Sequence, residues 1–160
     1  MNKFLLFLSL NVASNQKNLK AVLHELLNCY QIEMASSVFK RKEKNQAELN
    51  SRMELVVKGK TTETPTQLKD SIALLGGAPT LTLIAFESEV VMTPDLTLPS
   101  PLLHSDFIVL QAAKEVWPDL IHPIIKKKLV EIFLDHKAKE IAEFLFQGQR
   151  VLEEVRTHVN

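Results

Sequence analysis

Apolar residues crowd the first ten positions, where Phe4-Leu5-Leu6-Phe7-Leu8-Ser9-Leu10 shows no alternation with polar residues. Such a short run suits a buried first strand. Leu19, Val22, Leu23, Leu26, Leu27 and Tyr30 then recur at helical spacing, with Lys20, His24 and Glu25 on the other side, and predict an amphipathic helix lying on a sheet. Ile32 to Lys42 and Leu49 to Lys58 predict two strands. The second alternates Leu49, Ser51, Met53, Leu55 and Val57 against Asn50, Arg52, Glu54, Val56 and Lys58. The polar segment Lys42 to Ala47 between them is a predicted loop. Thr64 as N-cap and Pro65 at the first helical position open a second helix, which Gly76-Gly77 closes. A fourth strand runs from Thr80 to Phe86, and Glu89 to Thr93 adds a short edge strand before Pro94, Pro99 and Pro101 break the pattern. Helical spacing returns from His104 to Trp117 in Phe107, Leu110 and Lys114, until Pro118 and Pro123 end it.

The order β-α-β-β-α-β is that of a ferredoxin-like sandwich, an α+β fold with helices on one face of an antiparallel sheet. From Ile124 to Asn160 no strand pattern is visible. Ile125, Leu129, Ile132, Phe133, Ile141, Leu145, Val151, Leu152 and Val155 predict one long helix, or two broken near Gly148. The expected organisation is an α+β domain over 1–123 and a helical extension over 124–160, packed on that domain or on a partner subunit as a homodimer. No internal repeat or low-complexity tract appears.

Charge and cysteine content narrow the function classes. Lys+Arg and Asp+Glu each number 19 in 160 residues, so no basic excess exists to condense on phosphate backbones or anionic lipid, and neither nucleic acid nor membrane is an expected partner. Cys29 is the only cysteine, which rules out an intramolecular disulfide and a metal site of several thiolates; a reducing compartment, the cytoplasm, fits best. Near the end of the first helix, Cys29 is expected as a small core residue. Lys3, the apolar run and the small residues Ala13 and Ser14 imitate a secretory signal, but the run is short for one and a buried first strand accounts for it. The clusters Lys40-Arg41-Lys42 with Lys44, and Lys126-Lys127-Lys128, are expected to be solvated faces. His24, His104, His122, His136 and His158 lack the i, i+4 pairing of a zinc site and are expected to be solvated or capping. Ser100, His104 and Asp106 could form a Ser/His/Asp trio, yet nothing like a nucleophile elbow surrounds them.

Four blocks carry a resemblance. Ser9-Leu10-Asn11-Val12-Ala13-Ser14 follows the first strand, Ser36-Ser37-Val38-Phe39-Lys40 ends the second, Leu49-Asn50 begins the third, and Glu89-Val90 runs on to Leu96-Thr97-Leu98-Pro99. In this order they resemble the motifs of 6-hydroxymethyl-7,8-dihydropterin pyrophosphokinase (HPPK), the folate-pathway family that moves pyrophosphate from ATP to a pterin alcohol. The resemblance extends from the first strand to about Pro123 and implies that fold. It also implies a catalytic set that this chain does not carry. The family's two magnesium-binding carboxylates at i and i+2 of the fourth strand fall on Thr80 and Thr82, which bring hydroxyls but no negative charge. The arginines of its mobile loop find no Arg or Lys between Ser71 and Pro79. Its phosphate-binding His matches Ser100, and its Arg matches Asp106, a residue that repels polyphosphate.

Pterin recognition is mixed. Asn50 matches the ring-binding Asn and Asn11 survives, while the sandwiching aromatics match Glu48 and Ile108, with Phe107 one residue away. Asn11 is also ordinary turn chemistry, and Asn50 ordinary strand or loop hydrogen bonding. Gly76-Gly77 lacks the spacing and lysine of a phosphate cradle. The resemblance therefore implies a catalytically inactive relative with a remnant pterin-like cleft, a binding or assembly role, and no metal or cofactor. The alternative is an active pyrophosphokinase using ATP and Mg²⁺, with metal ligands relocated to Glu87, Glu89 or Asp106. A secreted ferredoxin-like binding domain is a third reading.

Overall fold

The computed structural model describes residues 1–12, 15–41, 51–136 and 142–158. Ala13, Ser14, the predicted loop Lys42 to Ala47, Glu48 and Asn50 lie outside the described residues.

The unbroken apolar run becomes β1 (Asn2–Asn11), flanked by β4 (Arg52–Thr61) and β5 (Leu81–Phe86), both antiparallel to it. Its side chains feed two separate cores. Phe4, Leu6, Leu8 and Leu10 join one cluster, Leu5 and Phe7 the other, and all six are buried. A strand covered on both faces has no polar side, which is why the sequence shows no alternation there. Burial of each such Leu or Phe contributes about 2 kcal/mol.

One face of the sheet carries α1 (Asn15–Cys29), α2 (Pro65–Ala73) and α6 (Gly148–Arg156); the other carries α3 (Leu102–Ser105), α4 (Phe107–Val116) and α5 (Leu129–Asp135). The expectation of helices on one face only is corrected: the mixed α/β fold has three layers. α1 buries Leu19, Val22, Leu23 and Leu26 as its spacing predicts. Cys29 falls one residue short of that stripe and is exposed, against the expectation of a core cysteine. The N-terminus of α2 matches its prediction. Thr64 Oγ1 accepts from the Gln67 amide at 3.2 Å while Gln67 Oε1 accepts from the Thr64 amide at 2.9 Å, a reciprocal capping box. The single helix expected from His104 to Trp117 divides instead, because Asp106 is extended and its side chain caps α4 through the Val109 amide at 3.1 Å.

The predicted second strand is broken at Ser36 into β2 (Gln31–Ala35) and β3 (Ser37–Arg41), both antiparallel to β4. At the break, Ser36 Oγ accepts the Val56 amide at 2.9 Å and donates to the Ser37 carbonyl at 2.8 Å. The flanking amides are met from outside the sheet: Ala35 donates to Gln149 of α6 at 2.9 Å and Ser37 to Glu115 of α4 at 2.6 Å. The predicted edge strand shrinks to β6 (Val91–Met92), which pairs with β7 (Thr97–Leu98) in a separate two-stranded sheet.

The segment 124–160 is also corrected, since it contains a strand. After α5, β8 (Glu143–Gln147) adds to the sheet edge beside β3, with Ser37 opposite Gln147 and Lys40 opposite Glu143. The sheet order is β5-β1-β4-β3-β8, with β2 also on β4. Five residues are too few to display a two-residue period against the charged flanks, so the strand was illegible. α6 then buries Val151, Leu152 and Val155 against α1 of its own chain, and Lys20 meets Glu154 at 3.2 Å. No described helix is long and apolar enough to cross a membrane.

Gly148 opens α6 where the backbone passes the Ser36 break, and a Cβ there would collide with the Ser36 carbonyl oxygen. Gly148→Ala is expected to destabilise the fold by about 2 kcal/mol, since backbone on both sides must move. A urea unfolding midpoint equal to that of the parent chain would contradict this.

Between α4 and α5, His122 is 1% exposed and its Nδ1 accepts the amides of Ile124 and Ile125, both at 3.2 Å. Burial, reinforced by His104 edge-on at 5.4 Å, holds its pKa below the ordinary 6.5. The folded chain therefore keeps the ring neutral while the unfolded chain takes up a proton first. The stabilisation is complete above about pH 6.5 and is lost as pH falls towards the depressed folded value. Thermal melts from pH 8 to 5 are expected to fall more steeply for the parent than for His122→Asn, which keeps an acceptor but does not titrate. Parallel curves would rule this out.

Candidate functional site

Polar side chains gather at the end of the sheet where β1 finishes and β4 begins. Register places Ser9 opposite Glu54, Asn11 opposite Arg52, and Arg41 of β3 on the other side of Arg52. Ser9 shares a face with Phe7 and Glu54 with Val56, so both point towards the layer of α3, α4 and α5. Glu54 is 4% exposed, a carboxylate in a strand whose neighbours Met53, Leu55, Val56 and Val57 are all core.

A buried charge needs partners, and Glu54 has them on both oxygens. Arg41 Nε donates to Glu54 Oε1 at 2.5 Å, and the Ser9 hydroxyl donates to Oε2 at 2.7 Å. The second arm of the Arg41 guanidinium reaches Asp106 Oδ1 at 2.6 Å, the same oxygen that caps α4. Arg52 donates from Nε to Ser9 Oγ at 3.0 Å and from its terminal nitrogen to the Ser9 carbonyl at 2.5 Å. Two cations and two anions are thus tied into one network across three strands and a helix cap. Burial alone would lower the Arg41 pKa, but the hydrogen bonds to Asp106 and Glu54 and their charges outweigh it, and the net shift is upward. Arg41 stays charged, with its charge directed inward.

The residues nominated from the sequence are only partly gathered. Asp106 belongs to this network, where its charge is compensated by Arg41. Phe107, its neighbour, stacks on Phe133 of α5 with ring centres 5.2 Å apart and planes 22° apart, and meets His136 at 5.8 Å. Ile108 is buried core. Thr82 is exposed on β5 and borders a hollow with Ser100, Lys69 and Asp95. Thr80 is not in that hollow: it sits in a 3₁₀ turn (Ala78–Thr80), and its hydroxyl donates to the Gly77 carbonyl at 2.7 Å. Ser100 is buried, and its hydroxyl accepts the Leu102 amide at 3.3 Å at the start of α3. The possible Ser100, His104, Asp106 trio is not assembled, since each of the three is engaged elsewhere. Asn50 lies outside the described residues, and among the described residues no three His, Cys, Asp or Glu side chains gather around a common ion position.

Asn11 lines a cleft of about 500 Å³ on the α1 side, floored by Leu10 and Val22 and edged by Asn18, Arg52 and Thr80. The loop between α2 and β5 forms its far wall. Gly76-Gly77 was expected to stop α2, but the helix ends at Ala73 and the glycines serve another purpose. Their amides donate to the two oxygens of Glu25 at 2.9 and 3.0 Å, and a Cβ on Gly77 would crowd Val22 at 3.1 Å. Missing side chains let the loop lie flat on α1, where Glu25 grips it.

Sequence reasoning missed Glu54 and Arg41 as a pair. The available signal was Val56, which falls in the polar set of the predicted third strand. A β-branched apolar residue between Glu54 and Lys58 indicates that this face is covered, so its acid must find a partner inside.

No known protein-family profile matches the sequence. Among solved structures, the chain is similar to wild-type HPPK-DHPS of Plasmodium falciparum with SDX-DHP, at a TM-score of 0.61 and 10% identity over 84% of this chain. The match spans 43% of that protein's length. The likeness supports an HPPK-like fold for this chain.

Removing Arg41 leaves a buried carboxylate unpaired. Arg41→Met is expected to cost about 3 kcal/mol, and Arg41→Met with Glu54→Met to regain most of it, because two apolar side chains do not need each other. Urea unfolding of the full cycle measures this; additive costs would mean that the two residues are uncoupled.

Proposed function

We propose that the chain is a non-catalytic HPPK-like protein, in which the sheet end that holds magnesium and nucleotide in the family has become a structural lock and the remaining role is binding. The observation that carries this reading is the orientation of Arg41: its two guanidinium arms are occupied by Glu54 and Asp106, so no positive charge from it is offered to a triphosphate. Phosphoryl transfer relies almost entirely on positioned metal and cations to offset charge on the transferring group. Thr80 and Thr82 supply neither charge nor a shared hollow. The α2–β5 loop, gripped by Glu25, is short and carries no Arg or Lys.

The binding role falls to the cleft beside α1, where Asn11, Asn18 and Arg52 supply polar contacts over an apolar floor of Leu10 and Val22, a composition suited to a small, flat, partly polar molecule such as a pterin. Phe107, stacked on Phe133 and met by His136, is already engaged by two rings of its own chain. The apolar residues of α6 are buried within their own chain, so self-association through the tail would use another surface.

An active pyrophosphokinase with relocated ligands is the competing reading. Asp106 is spent on Arg41, and Glu87 accepts the Lys3 amide at 2.6 Å at the far end of β1. Incubation with ATP, Mg²⁺ and 6-hydroxymethyl-7,8-dihydropterin is expected to yield no AMP above the rate without protein. Stoichiometric, protein-dependent AMP would establish the competing reading.

A further inference from the structure

The opposite end of the same sheet face holds an arrangement that the lock does not explain. Lys3 of β1 lies directly opposite Lys60 of β4, and Lys58, two residues along, shares their face. Like charges directly opposite on paired strands repel. Lys60 is relieved by Glu33 at 3.7 Å. Lys3 and Lys58 have no carboxylate within ion-pair distance among the described residues, and both turn to the same aromatic ring. Lys58 Nζ lies 4.8 Å and Lys3 Nζ 6.0 Å from the centre of Trp117, which projects from the end of α4. Glu33 and Glu87 act on Lys58 only at longer range, and Glu87 uses one oxygen on the Lys3 backbone amide, with its own backbone left-handed at φ 48°. Trp117 also borders a hollow of about 460 Å³ with Glu87, Ser88, Asp119, Ile121 and Lys126, in which Asp119 is paired with Lys128 at 3.7 Å.

We propose that Lys3 and Lys58, side by side over Trp117, bind the phosphate group of a small phosphorylated molecule whose organic part lies in the adjoining hollow. A phosphate carries enough charge and enough acceptor oxygens to engage and offset both ammonium groups at once, whereas a carboxylate brings one charge against two. The chain's zero net charge and the small extent of the cluster argue against a polyanion such as nucleic acid. Burial pushes the Lys58 ammonium below its ordinary pKa and the charge of Lys3 adds to that shift; an anion between them opposes both effects. The site is independent of the lock, being about 20 Å away along β1 from Ser9.

Trp117 is the only tryptophan of the chain, so its fluorescence reports on this position alone. Titrating the full chain with inorganic phosphate and pyrophosphate is expected to give a saturable change, half complete below ~1 mM for pyrophosphate. Sodium chloride at matched ionic strength should give none. Lys58→Met and Lys3→Met should each weaken binding at least about tenfold, the loss of one charged partner, while Lys58→Arg retains it. A response that sodium chloride reproduces, or equal affinity in the parent and both methionine variants, would overturn the proposal.

Discussion

Arg41 brings a single positive charge to the end of the sheet, and two carboxylates claim it. Glu54, buried on the same face as Val56 and Phe7, needs a partner for its carboxylate, and Asp106 must stay in place to cap α4. The guanidinium, with donors in a planar fork, serves both at once and ties β3, β4 and the start of α4 together. Ser9 and Arg52 extend the same network onto β1. The proposed loss of phosphoryl transfer rests on this lock, because groups that satisfy each other offer less to a highly charged ligand. Replacing one member exposes the need of the next, so the network is coupled rather than a sum of independent surface pairs.

Covering both sheet faces makes such a lock possible. With α4 and α5 packed over the side that carries Glu54, water cannot solvate its carboxylate, and the stacking of Phe107 on Phe133 draws the C-terminal segment into the same layer. The tail completes the molecule elsewhere too. β8 extends the sheet beyond β3, while α6 closes the face above α1 and reaches the Ser36 break through Gln149. The polar chemistry is therefore divided between two ends of one face: a self-satisfied end around Arg41, and an end where Lys3 and Lys58 meet over Trp117 with no carboxylate at ion-pair distance among the described residues.

Much of the fold was legible because local signals agreed with burial. The Leu19 to Leu26 stripe gave α1, Thr64-Pro65 gave the start of α2, and the apolar run gave a buried first strand. The misses have physical causes. A serine hydroxyl that substitutes for a backbone partner split the predicted second strand, and an extended, capping Asp106 split the predicted helix from His104 to Trp117, neither of which a periodicity can reveal. Gly76-Gly77 looked like a helix stop, whereas the glycines serve the close approach of a loop to Glu25. At the site, the exchange at Asp106 was visible as a loss of positive charge, but its pairing with Arg41 was not, since 65 positions separate them. Tertiary partners of buried charges are set by which faces are covered, and one chain's sequence carries that only faintly, here in Val56.

The most direct measure of a closed lock is calorimetric titration of the full chain with a non-hydrolysable ATP analogue, run with and without Mg²⁺. No magnesium-dependent heat at micromolar concentrations is expected, since among the described residues Arg41 is committed to Glu54 and Asp106 and no group of acids gathers for a divalent ion. Micromolar binding that requires Mg²⁺ would contradict the account.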